Sequence, residues 1–169
     1  MYYHNNQCNQ ENILQGIRID EPKIFVPWDT SENAFKEMFK TSDMSVVSKG
    51  NYFVKDSTIF GERLCNLGFT FEITIRKVGI SRSNYEEYHP DYMKSLAGLK
   101  TALSRSFAMF QKSLIKEFGE PSRRDKVLDE FESCEWNIGD KIKVYHYVID
   151  RFGLSEYLFI ENVQRYTKA

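Results

Sequence analysis

An apolar stripe in the second half of the chain constrains the fold more than any other feature. Its members recur at steps of three and four residues, which places them on one face of an α-helix. The stripe ends just before Gly119, and Pro121 follows, so the C-terminus of the helix is well marked. We therefore predict a long helix over about residues 91–118, with these residues as its buried face: Leu96, Leu99, Leu103, Phe107, Phe110, Leu114 and Phe118.

The segments before and after this helix have the patterns of β-strands. Phe69, Phe71, Ile73 and Ile75 alternate with polar residues, which predicts a strand with one buried and one solvated face. We expect the aromatic side of this strand to lie under the long helix. Residues 141–150 carry bulky side chains at both alternating positions, which is typical of a strand covered on both faces.

The remaining elements are shorter and are predicted from turn residues, helix caps and local periodicity. They are a first strand at Ile17 and Ile19, a strand over Lys23–Val26, a helix over about residues 31–40, a hairpin around Lys49-Gly50-Asn51, a polar loop over residues 79–90, a helical piece over residues 122–132, and a last strand over Tyr157–Val163 that we expect at a free sheet edge.

These elements predict an α+β fold. We expect one domain over residues 16–169, in which a twisted, mainly antiparallel sheet carries the long amphipathic helix across one face, with one or two short helices. A chain of 169 residues is long enough for such a domain to bury a sizeable core. Residues 1–15 are rich in Asn and Gln and show little periodicity, which predicts a flexible N-terminal arm.

Composition and charge argue against several classes of protein. A formal net charge of −1 does not favour nucleic-acid binding, because that affinity depends mainly on phosphate neutralisation. No apolar run approaches the roughly 20 residues of a membrane helix, and the N-terminus lacks a signal-peptide pattern. The three cysteines, Cys8, Cys65 and Cys134, form no CxxC pair, which favours free thiols in a reducing compartment. We therefore expect a soluble cytoplasmic protein without a cofactor or a metal site.

Two residues could carry thiol chemistry. Cys134 and His146, together with an acid such as Asp150 or Glu161, contain the residue types of a nucleophile, its base and an orienting carboxylate. No recognisable nucleophile turn precedes Cys134. The alternative is that His146 is a core histidine whose ring nitrogens are satisfied by hydrogen bonds.

A polar cluster before the long helix is the main candidate for binding. It contains Tyr85, Tyr88, His89 and Tyr92 with neighbouring acids. An imidazole beside carboxylates could perform acid–base chemistry or bind a metal, whereas acids before a helix also stabilise its positive end. Aromatic clusters are in addition typical of protein interfaces. Trp136 is a further binding candidate, although such a residue also seals the end of a core.

The sequence therefore favours a small soluble protein-binding module without catalytic activity, of the inhibitor or bacterial immunity type. Its partner would be a protein, and the chain would be a monomer or a homodimer formed through an edge strand. One alternative is a hydrolase that uses His146 or His89 with neighbouring carboxylates. Another alternative is a carrier of a small apolar ligand, bound beside Leu103 and Phe107.

Overall fold

The computed structural model of the protein describes residues 11–82, 96–128, 131–150 and 154–165. These ranges contain two α-helices, α1 (Glu32–Met38) and α2 (Leu96–Phe118), together with a helical segment at residues 11–15 and a 3-10 helix at Val163–Arg165. The strands in them are β1 (Gly16–Ile19), β2 (Ile24–Pro27), β3 (Met44–Ser48), β4 (Asn51–Ile59), β5 (Glu62–Phe71), β6 (Ile75–Arg82), β7 (Arg123–Leu128), β8 (Phe131–Ile138), β9 (Ile142–Asp150) and β10 (Leu154–Asn162).

The strands form a large antiparallel sheet and a separate hairpin. The large sheet has eight strands in the order β3-β4-β5-β6-β10-β9-β8-β7, and β1 pairs with β2 beside it. Two four-stranded meanders, β3–β6 and β7–β10, are therefore connected through α2 and joined edge to edge where β10 pairs with β6. This arrangement confirms the predicted α+β class with its antiparallel sheet and long helix.

Local sequence explains where both helices end. The hydroxyl of Ser31 accepts a hydrogen bond from the backbone N–H of Ala34 at 3.2 Å, which caps the N-terminus of α1. Gly119 follows α2 with a φ of +81° and donates to the carbonyl of Ile115 at 2.8 Å. A positive φ favours glycine, so this residue ends the helix as its position predicts. The predicted start of the long helix, at residues 91–95, lies outside the described residues.

One face of the large sheet, which we call the inner face, is buried. Strand register aligns a continuous row of buried side chains across six strands, and the core of the molecule lies above this row. Helix α2 covers β8–β10, whereas α1 and the β1–β2 hairpin cover β4 and β5. The row consists of Tyr52, Phe69, Val78, Ile160, Val144 and Trp136.

The prediction of one strand over Phe69–Ile75 under the long helix is wrong in two respects. The chain turns after Phe71, β6 begins at Ile75, and Ile73 between them is 85% exposed. The alternation of apolar and polar residues in the sequence is not interrupted by the turn, because Phe71 and Ile75 are cross-strand partners and lie on the same face of the sheet. The rings of Phe69 and Phe71 also lie 4.7 and 5.1 Å from that of Phe35, so this aromatic side packs under the short helix α1 and not under the long one.

Three further predictions about elements are corrected. Residues 122–132 contain strand β7 and the start of β8 instead of a helix, because the spacing of Val127, Leu128 and Phe131 is compatible with either structure. Gly79 lies inside β6, while the predicted loop over residues 83–90 falls outside the described residues. The last strand, β10, pairs on both sides and is central; among the described strands, β3 and β7 are the edges of the sheet.

Part of the predicted N-terminal arm is packed. Residues 11–15 are helical, and Ile13 is buried. The indole Nε1 of Trp28 donates to the carbonyl of Ile13 at 2.7 Å, and its backbone N–H donates to the carbonyl of Gln15 at 3.1 Å. This part of the arm is therefore attached to the end of β2, and the flexibility of residues 1–10 stays a prediction about residues outside those described.

Candidate functional site

A buried polar cluster lies between the inner face and α2. His146 of β9 and Glu156 of β10 are 0% and 1% exposed, and the distance from Nε2 to Oε1 is 2.8 Å. The hydroxyl of Ser106 on α2 donates to Oε2 of Glu156 at 3.1 Å. The ring of Phe107 stacks on the imidazole at a centroid distance of 4.1 Å and an angle of 10°. Side chains from two strands and one helix are thereby fixed to each other.

Cys134 lies beside this cluster but does not have the properties of a nucleophile. Its Cα is the cross-strand partner of that of His146, and its Sγ accepts a hydrogen bond from the side-chain amide of Gln111 at 2.7 Å. Burial raises the pKa of the Cys134 thiol above its usual value. Cys134 is therefore a protonated thiol at neutral pH, whereas the reactive form of cysteine is the thiolate.

The acid of the cluster is not one of the two proposed from sequence. Asp150 is exposed at the end of β9, and Glu161 lies on the opposite face of the sheet. Glu156 takes this place instead. The sequence contains a signal that predicts this placement. Glu156 is two residues before Leu158 and four before Ile160, so it lies on the same, otherwise apolar, face of the strand.

The cluster is closed to substrate in the part of the chain that the structure describes. A general base must come within hydrogen-bond reach of the proton that it removes from a substrate. The imidazole of His146 is instead enclosed by Phe107, Phe110 and Glu156, with ring distances of 4.1 and 5.4 Å to the two phenylalanines. This environment is that of a core histidine. His89, the other candidate base, lies outside the described residues.

The binding candidates from sequence fall into two groups. Tyr85, Tyr88, His89 and Tyr92 lie outside the described residues, so their role stays a prediction. Trp136 is buried, and its indole Nε1 donates to the carbonyl of Gly119 at 2.8 Å, directly after α2. This indole closes the C-terminal end of the long helix, and a binding role for it stays a prediction.

Two clefts are lined by described residues, and neither of them borders Leu103 or Phe107. The first, of about 340 Å³, lies between β1, the β4–β5 turn and the end of α2, where burial raises the pKa of the Glu117 carboxyl. The second, of about 560 Å³, lies beside β2 and the 3-10 helix. In the described residues, no group of three His, Cys, Asp or Glu side chains is arranged to hold a metal ion. The first cleft is lined by Arg18, Asp20, Phe60, Gly61, Ser113, Lys116 and Glu117; the second by Leu14, Gln15, Phe25, Pro27, Trp28, Asp29, Lys141, Asn162 and Gln164.

The opposite face of the large sheet, the outer face, carries a group of aromatic side chains. The rings of Tyr147 and Tyr157 stack across β9 and β10 at 5.6 Å, and Phe159 lies 5.9 Å from each of them. Tyr145 is the cross-strand partner of Phe159. Phe53 of β4 lies in the same register row as Phe159, three strands further across the sheet. We call this group the aromatic surface: Phe53, Tyr145, Tyr147, Tyr157 and Phe159.

Two glycines make the middle of the aromatic surface flat. Gly68 and Gly79 are paired in neighbouring strands and separate Phe53 from Phe159. A Cβ atom at Gly79 would lie 2.6 Å from the Phe159 ring, and one at Gly68 would lie 3.1 Å from the Phe53 ring. The two rings therefore lie over the glycine backbone from opposite sides. A side chain at Gly79 would displace the Phe159 ring.

Two lysines beside the aromatic surface have identified contacts. The ammonium of Lys77 lies 4.1 Å from the centre of the Phe159 ring, and Lys143 lies 3.8 Å from the Glu135 carboxylate. Burial raises the pKa of the Tyr145 phenol, which is therefore neutral at pH 7.

Comparison with known proteins does not identify a relative. The part of the chain that the structure describes has no helix that is both long and apolar enough to cross a membrane. The chain matches no protein-family model, no curated protein sequence and no solved structure.

Proposed function

We propose that this protein is a non-catalytic protein-binding module that binds its partner through the aromatic surface. The observation that supports this proposal is the set of tyrosine and phenylalanine rings on a sheet face that no helix of the described chain covers. Tyr and Phe are enriched at protein interfaces, where they provide large contact areas at a low cost in side-chain entropy. The tyrosine hydroxyls also supply hydrogen bonds at the rim of such a contact.

The glycine pair supports the same proposal. Glycine in the interior of a strand lowers stability, and it often marks a place where another group approaches the backbone closely. At Gly68 and Gly79 the rings of Phe53 and Phe159 partly cover the backbone, as aromatic residues do beside glycine in other sheets. The result is a flat surface of rings and backbone, which a partner with a flat apolar surface can approach.

The buried cluster supports a binding function over a hydrolytic one. His146 and Glu156 are enclosed by the core, and the Cys134 thiol is protonated at neutral pH. A free buried thiol is also suited to a reducing compartment, so the proposal includes a cytoplasmic location. Within this class, an inhibitor or an immunity-type protein that covers the surface of an enzyme or a toxin is the form that we propose.

The test is affinity capture with a surface variant and a matched control. Tagged wild-type protein is used to isolate a partner from lysate of the host, and the purified pair is then titrated by calorimetry. We expect the double variant Tyr147→Ala/Tyr157→Ala to weaken binding by at least about 30-fold, as for two residues at the centre of an interface. The control is Met109→Ala, because Met109 is exposed on α2, which covers the inner face.

A second variant tests the flatness of the surface. Gly79→Ala places a methyl group against the Phe159 ring, and we expect it to weaken binding while thermal unfolding shows a folded protein. Equal affinity of the wild type and both surface variants would show that the partner binds elsewhere. Failure to isolate any stoichiometric partner from host lysate would contradict the proposed function itself.

A further inference from the structure

We propose that the edge of β3, which no described strand covers, pairs with β3 of a second copy of this chain, antiparallel and centred on Ser45. The surface is a sheet edge and not the aromatic surface, so this inference is independent of the proposed partner. It also relocates the expected edge-strand dimer, because β10 is central and β3 is one of the two terminal strands.

The composition of β3 is that of an unprotected edge. Its sequence, Met-Ser-Val-Val-Ser, carries no charge, and Val46 is 65% exposed. The other edge, β7, contains Arg123, Arg124 and Asp125, which take part in ion pairs of 2.6–2.9 Å. Charged side chains on an edge oppose pairing with another chain, whereas an uncharged apolar edge permits it.

The hydrogen-bond pattern determines which backbone groups are directed away from the sheet. The N–H of Lys55 donates to the carbonyl of Asp43 at 2.8 Å, and Ser45 is paired with Phe53. Because these groups alternate along an antiparallel strand, the N–H and C=O groups of Met44 and Val46 face away from β4. The register shifts between Val46 and Ser48, so the regular free edge is confined to Met44–Val46.

Antiparallel pairing about Ser45 uses all of these groups. Met44 then lies opposite Val46 of the second copy, and the same contact recurs by two-fold symmetry, giving about four backbone hydrogen bonds. Met44 and Val46 are cross-strand partners of the buried residues Val54 and Tyr52. The exposed Val46 side chain is therefore covered by Met44 of the second copy, on the inner face of both sheets.

Charge complementarity supports the second copy as the occupant. Asp43 precedes the uncharged strand and Lys49 follows it. Antiparallel pairing brings the end of β3 that carries Asp43 in one copy to the end that carries Lys49 in the other, so opposite charges meet at both ends of the contact. A parallel arrangement of the two strands would bring like charges to the same ends.

Disulfide trapping tests the register directly. In the proposed dimer the two Ser45 residues face each other as a non-hydrogen-bonded pair with Cα atoms about 4.5 Å apart, a separation at which a disulfide can form. We expect Ser45→Cys, in a chain that also carries Cys8→Ser and Cys65→Ser, to give a covalent dimer on mild oxidation. The control is Ser42→Cys, because this register places Ser42 opposite Ser48 and not opposite itself.

Sedimentation velocity over a concentration series provides the second measurement. We expect Val46→Lys to raise the dimer dissociation constant by at least about tenfold. Each copy would then place a lysine ammonium against the apolar edge of the other copy. The control Met109→Lys introduces the same charge at a residue of similar exposure on α2 and leaves dimerisation unchanged. A chain that is monomeric at all concentrations, or cross-linking of Ser42→Cys that equals that of Ser45→Cys, would overturn the proposal.

Discussion

Glu156 shows how a single residue positions the long helix. Its place in β10 directs its side chain to the inner face, in phase with Leu158 and Ile160, where an unpaired carboxylate would cost several kcal/mol. The carboxylate is met by the imidazole of His146 and by the hydroxyl of Ser106 on α2. We infer that this hydrogen-bonded pair specifies where α2 sits on the sheet, since buried pairs of ionisable groups add little net stability by themselves.

This role predicts a contrast between single and double substitution. We expect His146→Ala to lower the free energy of unfolding by about 3–5 kcal/mol, because Glu156 stays buried without its main partner. The double variant His146→Phe/Glu156→Leu should recover most of that loss, since it leaves no charge to be paired. Urea unfolding at pH 7 measures both values. If His146→Ala were as stable as the wild type, the pair would not have the structural role inferred here.

A second residue pair predicts the pH dependence of stability. The hydroxyl of Tyr52 donates to the carboxylate of Glu32, and this bond lowers the pKa of Glu32 below 4.5. A lowered pKa in the folded state stabilises the protein above the unfolded pKa, and that stabilisation is lost as the pH falls through the folded pKa. We therefore expect Tyr52→Phe to reduce the loss of stability on acidification below about pH 4.5.

The measurement is the free energy of urea unfolding at a series of pH values between neutrality and acid. The control is Tyr157→Phe, which removes a phenol hydroxyl from the outer face and should leave the acid dependence as in the wild type. A Tyr52→Phe variant with the same acid dependence as the wild type would contradict the assigned cause of the shift.

At the scale of elements, local patterns predicted α1 and α2 well and failed where two structures share one pattern. The stripe ending at Phe118 and the predicted helix over about residues 31–40 correspond to the observed helices. Alternation could not distinguish the Glu72–Thr74 turn from a continuous strand, because β5 and β6 direct Phe71 and Ile75 to the same face. The central position of β10 depends on its pairing with β6, a long-range contact that local periodicity does not contain.

The candidate site was predictable only in part for a similar reason. His146 and Cys134 were found by residue type, and their proximity follows from the pairing of β8 with β9. Glu156 was missed because acids are usually placed on solvated faces. The aromatic surface was not predicted either: Phe53 and Phe159 are far apart in sequence, and only the order of strands brings them to either side of Gly68 and Gly79.

The short helix α1 is predicted to depend on one residue. Phe35 is fully buried, and its ring lies 4.7–5.8 Å from those of Phe39, Tyr52, Phe69 and Phe71. Seven residues are too few for a stable isolated helix, so tertiary packing must hold α1 in place. We expect Phe35→Ala to lower the free energy of unfolding by about 3–5 kcal/mol, the usual effect of truncating a buried Phe.

The matched control for this prediction is Ile73→Ala, at the exposed turn between β5 and β6. Because Ile73 is in solvent, its truncation should change the free energy of unfolding by less than about 0.5 kcal/mol. Far-UV circular dichroism of both variants would show whether α1 is retained. A loss of less than about 1 kcal/mol in Phe35→Ala would mean that α1 is not held by this aromatic contact.

At the scale of the whole molecule, two meanders share one core. Each meander is formed by local hairpins, while the β6–β10 pairing joins them across the middle of the sheet. One cluster of buried residues on the inner face extends from Phe35 in one half to Trp136 in the other. Because neither half has a separate core, we infer that the halves unfold together.

The two tryptophans provide one probe in each half. Trp28 lies beside the β1–β2 hairpin, and Trp136 lies in β8. We expect Trp28→Phe and Trp136→Phe each to show one urea transition, with fluorescence and circular dichroism coincident. Leu158→Ala, at the fully buried junction with β6, should lower the unfolding free energy by about 2–5 kcal/mol in both backgrounds. A shift seen by only one tryptophan would mean that the halves are separate folding units, since a shared core transmits the same destabilisation to both probes.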